Sequence, residues 1–378
     1  MRILLAPDSF KDALPALGIA QALANGLHKA DDSIDLQLFP LGDGGEGTSE
    51  ILTYHHQGER CSLQVQDPLG RTIKAHYGWS PERSTAYIEM AEASGLQLLK
   101  ADERNPLLTS TYGTGQMILD ALQKGASHIV LCIGGSATND MGLGMAAALG
   151  YVFLDAEGQP IERPTGGDLS RVHSIESKHL RFDPATLQTT VICDVDNPLY
   201  GTRGAAFVYG RQKGGHEAML QELDDGLQKM ADVVQDQMGK NIAEVPGGGA
   251  AGGLGAGCLA FMNARLEAGI ELVMSLTDFD AALQQTDLVI TGEGRIDGQT
   301  LNGKLIHGIC HRAAEYQVPV VAVCGKLEAD PTQLKAIGLQ AAYQVSPEGV
   351  ALPEALANTG TYLEKWAYAW WKDYQPKN

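Results

Sequence analysis

No stretch of this 378-residue chain approaches the ~18 consecutive apolar residues of a bilayer-crossing helix, so no membrane span is expected. Basic residues are scarce: 28 Lys and Arg stand against 46 Asp and Glu, a formal charge of −18. That excludes a broad basic surface for nucleic acid or an anionic membrane, though not a phosphate held locally. Cys61, Cys132, Cys193, Cys258, Cys310 and Cys324 form no C-x-x-C pair. They are expected to be reduced core residues of a cytoplasmic protein rather than metal or redox ligands. The first strand meets Asp8 and Lys11 at once, so no signal peptide is expected. What the chain has in excess is glycine: 45 of 378 residues, about 12% against a usual ~7%. These glycines follow no fixed period, which excludes collagen and low-complexity disorder, and they gather where strands end.

A prior of roughly 150 residues per domain gives two or three domains. The first strand, residues 2–6, ends in Pro7-Asp8-Ser9. Ser9 and Asp12 fit the S-x-x-D capping pattern ahead of a helix carrying Leu14, Leu17, Leu23 and Leu27. Asp8 and Ser9 either cap that helix or stand where open α/β sheets place their ligands, beyond a strand's carboxyl end. A second strand, 35–40, runs into Gly42-Asp43-Gly44-Gly45-Glu46-Gly47. Glycine leaves Asp43 and Glu46 uncrowded, as Mg²⁺ coordination or proton abstraction requires. From residue 61 the texture changes to a hairpin around Asp67-Pro68-Leu69-Gly70, the start of an inserted, partly antiparallel domain.

Strand 128–133 ends in Gly134-Gly135-Ser136-Ala137-Thr138-Asn139-Asp140. Its glycines and amides suit a phosphate or carboxylate, and Asn139 and Asp140 suit a metal or hydroxyls. Strand 189–193 ends in Asp194-Val195-Asp196-Asn197-Pro198, acids for Mg²⁺ or general-base work, or Asx-turns before a proline. The run 218–238 places Leu220, Leu223, Leu227, Met230, Val234 and Met238 at helical spacing, a core stripe. PGGGAAGGLGAG, 246–257, lacks the spaced dinucleotide fingerprint and reads as a loop or hinge that closes over a ligand.

The last third alternates strand and helix. Its strands 288–291, 319–324 and 340–345 join the two N-terminal ones in a five-stranded parallel sheet. The expected fold is therefore α/β with two domains. Residues 1–60 with 265–378 form a doubly wound, flavodoxin- or Rossmann-like sheet, and 61–264 form an inserted mixed α/β domain. A terminal helix, 353–374, docks on the sheet through Trp366, Trp370 and Trp371, with a homodimer contact as the lesser reading. Strand 288–290 empties into Thr291-Gly292-Glu293-Gly294-Arg295-Ile296-Asp297, a glycine-rich loop with charges that suit an anionic ligand. Gly298–Leu305 nearly spells a P-loop, but Leu305 stands where the Mg²⁺-binding hydroxyl belongs, and a Walker A assignment is rejected. Lys304 remains a point charge for phosphate.

Taken together, PDSFKDAL (7–14), PLGDGGEGT (40–48), GGSATNDMG (134–142), CDVDNPLYG (193–201) and TGEGRIDGQTLNGK (291–304) resemble the bacterial glycerate kinase family. The likeness is to the type related to glycerate 2-kinases of glyoxylate and galactarate catabolism, and it spans essentially the whole chain. One departure is Met141, where glycine is the expected residue. The resemblance implies ATP-dependent phosphorylation of D-glycerate to 2-phosphoglycerate with Mg²⁺, in a cleft between two α/β domains. Residue type and loop position then suggest roles. Asp194 or Asp43 is the base, and Asp43, Glu46, Asp140 and Glu293 are the metal ligands. Lys11, Arg295 and Lys304 meet phosphate or the glycerate carboxylate. Asp8, Ser9, Gly134, Gly135, Ser136 and Asn139 line the substrates, and Gly248 and Gly249 line the nucleotide or a closing loop. Competing readings are a kinase forming 3-phosphoglycerate, a Mg²⁺-dependent phosphohydrolase of a small phosphorylated acid, and a non-catalytic sugar-acid sensor. A nicotinamide dehydrogenase is disfavoured by the missing fingerprint.

Overall fold

The computed structural model describes residues 1–298, 300 and 305–374. The chain divides into two compact units, Met1–Asp43 with Ile270–Asn378, and Gly44–Gly269. The first division falls ahead of residue 60 because the helix Thr48–His55 packs on strands of the second unit. Ser49 Oγ, on that helix, donates to Tyr87 O at 2.6 Å. In chain order the strands are β1 (Arg2–Pro7), β2 (Asp35–Leu38), β3 (Glu59–Gln66), β4 (Thr72–Ser80), β5 (Thr85–Glu89) and β6 (His128–Cys132). There follow β7 (Val152–Leu154), β8 (Ser174–Glu176), β9 (Gln188–Ile192), β10 (Arg265–Glu267), β11 (Leu288–Ile296), β12 (Val320–Leu327) and β13 (Ala341–Gln344).

The first unit holds a five-stranded sheet in the order β13-β12-β11-β1-β2, with every pairing parallel. Such strands are covered on both faces and read as continuous apolar runs; Ile3, Leu4, Leu5, Leu288, Val289 and Ile290 are all fully buried. Strand order reverses between β1 and β11, which makes this a doubly wound sheet with its switch point there. β11 runs through the glycines expected to form a loop and on to Ile296, because it keeps pairing with β12 as far as Ile296↔Leu327. β1 stops opposite Gly292.

The first helix begins at Ala16 rather than after Ser9. Pro15 is the reason: a residue that precedes proline is driven out of the α region, so Leu14 cannot be helical. Residues 8–14 instead make a turn in which Asp12 takes φ 62 and Phe10 is buried. Helix Ala16–Ala30 buries Ile19, Leu23 and Leu27 and packs against the terminal helix Thr359–Asp373. The expected long C-terminal helix is broken at Asn358 into that helix and Leu352–Ala357. Trp366 lies against Tyr343 of β13 with ring centroids 5.3 Å apart, and Trp371 Nε1 donates to Asp31 at 3.4 Å. The two helices meet at Gly26, where a Cβ would lie 2.3 Å from Glu364 O and 2.8 Å from Ala367 Cβ. Gly26→Val is therefore expected to push the helices apart and destabilise the protein by about 2–3 kcal/mol, read as a lower denaturation midpoint.

The second unit carries a mixed six-stranded sheet, β10-β9-β6-β5-β4-β3. β3, β4 and β5 are antiparallel neighbours, and β5, β6, β9 and β10 are parallel. The expected hairpin turns at residues 67–70, and β7 and β8 form a separate antiparallel ribbon. Helix Glu217–Met238 buries Leu220, Leu223, Leu227, Met230 and Val234 of the predicted stripe, while Met238 in its last turn is half-buried against the same core. Five of the six cysteines are buried, and none is in a disulfide. No described helix is long and apolar enough to cross a membrane.

Candidate active site

In the first unit, the carboxyl ends of β1 and β11 lie side by side at the switch point. Asp8 N donates to Gly292 O at 2.8 Å, which fastens the end of β1 to β11. Asp8 follows β1, Glu293 lies on β11, and Asp43 ends the loop after β2. Burial raises the Asp8 carboxyl to about 7, with the charges of Asp43 and Glu293 adding to the effect and a bond from Ser9 N, 2.6 Å, opposing it. Three acids from separate segments thus meet at the one place in this sheet where open α/β folds hold ligands. Thr300 Oγ1 donates to Glu293 and accepts from Asp297 N at 3.1 Å, closing the chain back over this end of β11. Lys11 is exposed, and its backbone N passes within 3.6 Å of where a Gly294 Cβ would stand. Arg295 is exposed and pairs with Glu328 and, at 3.3 Å, Asp297. Lys304 lies outside the described residues.

In the second unit, β6 leads into the 134–142 loop. Gly134 and Gly135 are exposed, Ser136 is buried, and Gly135 O accepts from Leu96 N at 2.9 Å. Asp140 departs from its expected part. It is fully buried, and its Oδ2 accepts from Thr111 N (2.8 Å), Thr111 Oγ1 (2.8 Å) and Gly144 N (3.2 Å), while Oδ1 accepts from Gly142 N (3.2 Å). A carboxylate so enclosed holds the loop to the rest of the unit and leaves no open face for a metal. Met141 has φ 50 and Gly142 φ 73, both left-handed. That backbone explains the expectation of glycine at 141; the methionine is kept there by its fully buried side chain. Asn139 is fully buried with neither side-chain nitrogen nor oxygen partnered, and Thr138 Oγ1 is likewise unpartnered.

Asp194 is exposed and Oδ1 accepts from Gly269 N at 2.6 Å, at the start of helix Gly269–Leu276. Glu46 is exposed. The 246–257 run, expected to be a loop or hinge that closes over a ligand, is buried over most of its length. Gly249 N donates to Asn197 O at 3.0 Å and Gly248 N to Val245 O at 2.9 Å, and the helix Ala250–Met262 that follows is broken near its start by left-handed backbone at Ala251, Gly252 and Gly253 (φ 54, 70 and 86). A Cβ at Gly249 would stand 2.2 Å from Pro198 O, so these glycines serve close approach of two backbones.

Two residues escaped the sequence reading. Glu89, ending β5, accepts from Ser49 N at 2.9 Å and so anchors the start of helix Thr48–His55; burial raises its carboxyl. Lys213 is 1% exposed and reaches the 134–142 loop, where Nζ donates to Ser136 Oγ and Thr138 O. Only the glycines around Lys213, at 210, 214 and 215, signalled a special turn.

A doubly wound sheet with acids at its switch point, joined in one chain to a mixed sheet with a glycine loop beyond a parallel strand, is the organisation of an α/β enzyme. The profile of the glycerate kinase family matches residues 3–374, and the chain belongs to that family; it is a kinase. It is 46% identical over 365 residues to a glycerate kinase of Halalkalibacterium halodurans, covering 96% of this chain and 95% of that one. It is 42% identical over 355 residues to the glycerate 2-kinase of Escherichia coli K12, covering 94% and 93%. The crystal structure described as a putative glycerate kinase 2 from Salmonella typhimurium LT2 superposes with a TM-score of 0.90 at 40% identity, covering 98% and 97%.

Proposed function

We propose that the protein transfers the γ-phosphoryl group of ATP to the 2-hydroxyl of D-glycerate, giving 2-phosphoglycerate and ADP with Mg²⁺, in sugar-acid catabolism. The observation that carries this reading, in a member of this family, is the convergence of Asp8, Asp43 and Glu293 at the switch point. Phosphoryl transfer asks a protein for positioning, charge neutralisation and one base for the alcohol. Asp8, flanked by both other acids, is the base in place of Asp43 or Asp194. It takes the hydroxyl proton as the glycerate oxygen bonds to the γ-phosphorus, and the bond to the β-bridging oxygen breaks with its electron pair leaving on ADP.

Asp43 and Glu293 offer only oxygen donors, which suits a hard cation such as Mg²⁺. Among the described residues no three His, Cys, Asp or Glu side chains form a ready-made metal cage. One or two carboxylates with phosphate oxygens and water are a usual Mg²⁺ set, and Asp43 and Glu293 would supply that protein share. When bound, the cation neutralises developing charge on the phosphates. In the second unit Gly134 and Gly135 are exposed and, without side chains, let anionic oxygens come close to the backbone. The test is ³¹P NMR of the protein with ATP, Mg²⁺ and D-glycerate, against a control without glycerate. A new phosphomonoester split by a single proton is the expected product. Splitting by a methylene pair would mean the 3-hydroxyl, and unchanged ATP across pH and metal would defeat the reading.

A further inference from the structure

Lys213 is the feature of the second unit that no role above absorbs. Its Nζ donates to Ser136 Oγ at 2.8 Å and to Thr138 O at 2.6 Å, both uncharged acceptors. Among the described residues no carboxylate forms an ion pair with it; Asp140 acts on it only through its field, its own oxygens being taken by Thr111, Gly142 and Gly144. Burial pushes the ammonium down to about 7. A cation enclosed in this way is costly unless something compensates it.

The backbone is built to deliver this lysine. The turn Arg211–Lys213 is wedged between glycines: a Cβ on Gly210 would stand 2.3 Å from Leu220 Cδ2, and one on Gly214, at φ 90, 2.2 Å from Arg104 O. The loop that receives it has hydrogen-bonding capacity to spare. An ammonium has three donors, of which two are used. Thr138 Oγ1 and both polar atoms of the Asn139 side chain are buried without a partner. Unspent buried groups of this kind are rare in folded proteins and mark a place where a ligand or water belongs.

We propose that Lys213 is the positioning residue of an anion-binding loop at 134–139, tying Ser136 and Thr138 into the shape that receives an anionic oxygen of a substrate and placing positive charge behind it. This rests on the phosphoryl-transfer reading and adds the residue that shapes its second-unit loop. The anion is either a nucleotide phosphate or the glycerate carboxylate, and the test separates them.

Lys213→Met and Lys213→Arg are compared with wild type in the full chain. The measurements are melting temperature alone, its shift with inorganic tripolyphosphate or with D-glycerate, and the KM for ATP and for glycerate beside kcat. Lys213→Met removes an enclosed charge but also takes their donor from Ser136 Oγ and Thr138 O, two opposed effects that should leave its melting temperature near that of wild type. It should nonetheless raise one KM by ~10–100-fold while kcat moves far less, with Lys213→Arg recovering part of the loss. A raised KM for ATP with loss of the tripolyphosphate shift assigns the loop to phosphate; a raised KM for glycerate with loss of the glycerate shift assigns it to the carboxylate. Unchanged KM values and shifts overturn the proposal, as does a wild type that neither anion stabilises. Should Lys213→Met fail to fold, Ser136→Ala, which removes one hydroxyl, is expected to raise the same KM about threefold, and no change there overturns the proposal. A wild type that does not phosphorylate glycerate defeats the functional reading alone. The tripolyphosphate shift would then still decide on Lys213, its loss in Lys213→Met supporting the proposal and its persistence overturning it.

Discussion

Asp8→Asn is expected to give a protein that is more stable than wild type at pH 8 and turns over 10²–10⁴-fold more slowly, the usual contribution of a general base. The gain in stability follows from the acids at the switch point. Asp8 rises from an ordinary 3.8 to about 7 through burial and the charges of Asp43 and Glu293. A carboxyl whose folded pKa is raised binds its proton more tightly in the folded state. Its favourable contribution is complete below pH 3.8 and is lost as pH climbs through about 7. Asparagine cannot ionise, so the variant's advantage should be absent near pH 4, grow through the interval and level off above neutrality. A tenfold change in proton affinity is worth about 1.4 kcal/mol, and discounting for the partial exposure of Asp8 leaves an advantage of about 1–3 kcal/mol. The comparison is made by denaturant unfolding in EDTA, because a cation beside these acids would reverse the local electrostatics. A stability difference that does not vary with pH would trace to packing rather than to ionisation. Retention of wild-type kcat would remove Asp8 from the chemistry.

The acids at the switch point were legible because strand ends in a parallel sheet are legible. Apolar runs such as Leu288-Val289-Ile290 are covered on both faces, and the residues after them had to gather along one edge of the sheet. The extent of β11 was not. Gly292 and Gly294 carry a loop signature, and beyond the end of β1 opposite Gly292 it is the partner strand β12, pairing as far as Leu327, that keeps the chain extended. At the first helix two signals competed, and the steric veto of Pro15 outweighed the capping pattern at Ser9. Lys213 and Glu89 were invisible for a different reason. A lone charge in Gly210-Arg211-Gln212-Lys213-Gly214 reads as a solvated turn, and its burial depends on Ser136, 77 residues earlier in the chain. The same distance effect misled the reading of Asp140, whose partner Thr111 lies 29 residues away and converts a ligand-like aspartate into an internal brace.

Asp140→Ala is accordingly expected to destabilise the protein by about 3–5 kcal/mol in metal-free buffer, a loss that added Mg²⁺ does not restore. The alanine would leave Thr111 N, Gly142 N and Gly144 N buried without an acceptor. It would also free Thr111 Oγ1, which accepts from Met145 N at 2.9 Å and so links the loop to helix Leu143–Ala148. Asp140→Asn discriminates further. Three of the four donors converge on Oδ2 and one on Oδ1, so the amide can set its oxygen where three bonds survive and its NH₂ toward Gly142 N. The expected cost is about 1–3 kcal/mol, that of one lost acceptor in a closed site. A metal ligand would behave in the opposite way: its alanine variant would fold normally, and activity would fall in a manner that high Mg²⁺ partly rescues. Equal unfolding midpoints for wild type and Asp140→Ala in EDTA, with activity responding to Mg²⁺, would return Asp140 to the metal. A graded loss, alanine greater than asparagine and both indifferent to Mg²⁺, fixes it as the brace that holds the glycine loop and, through that loop, the seat of Lys213.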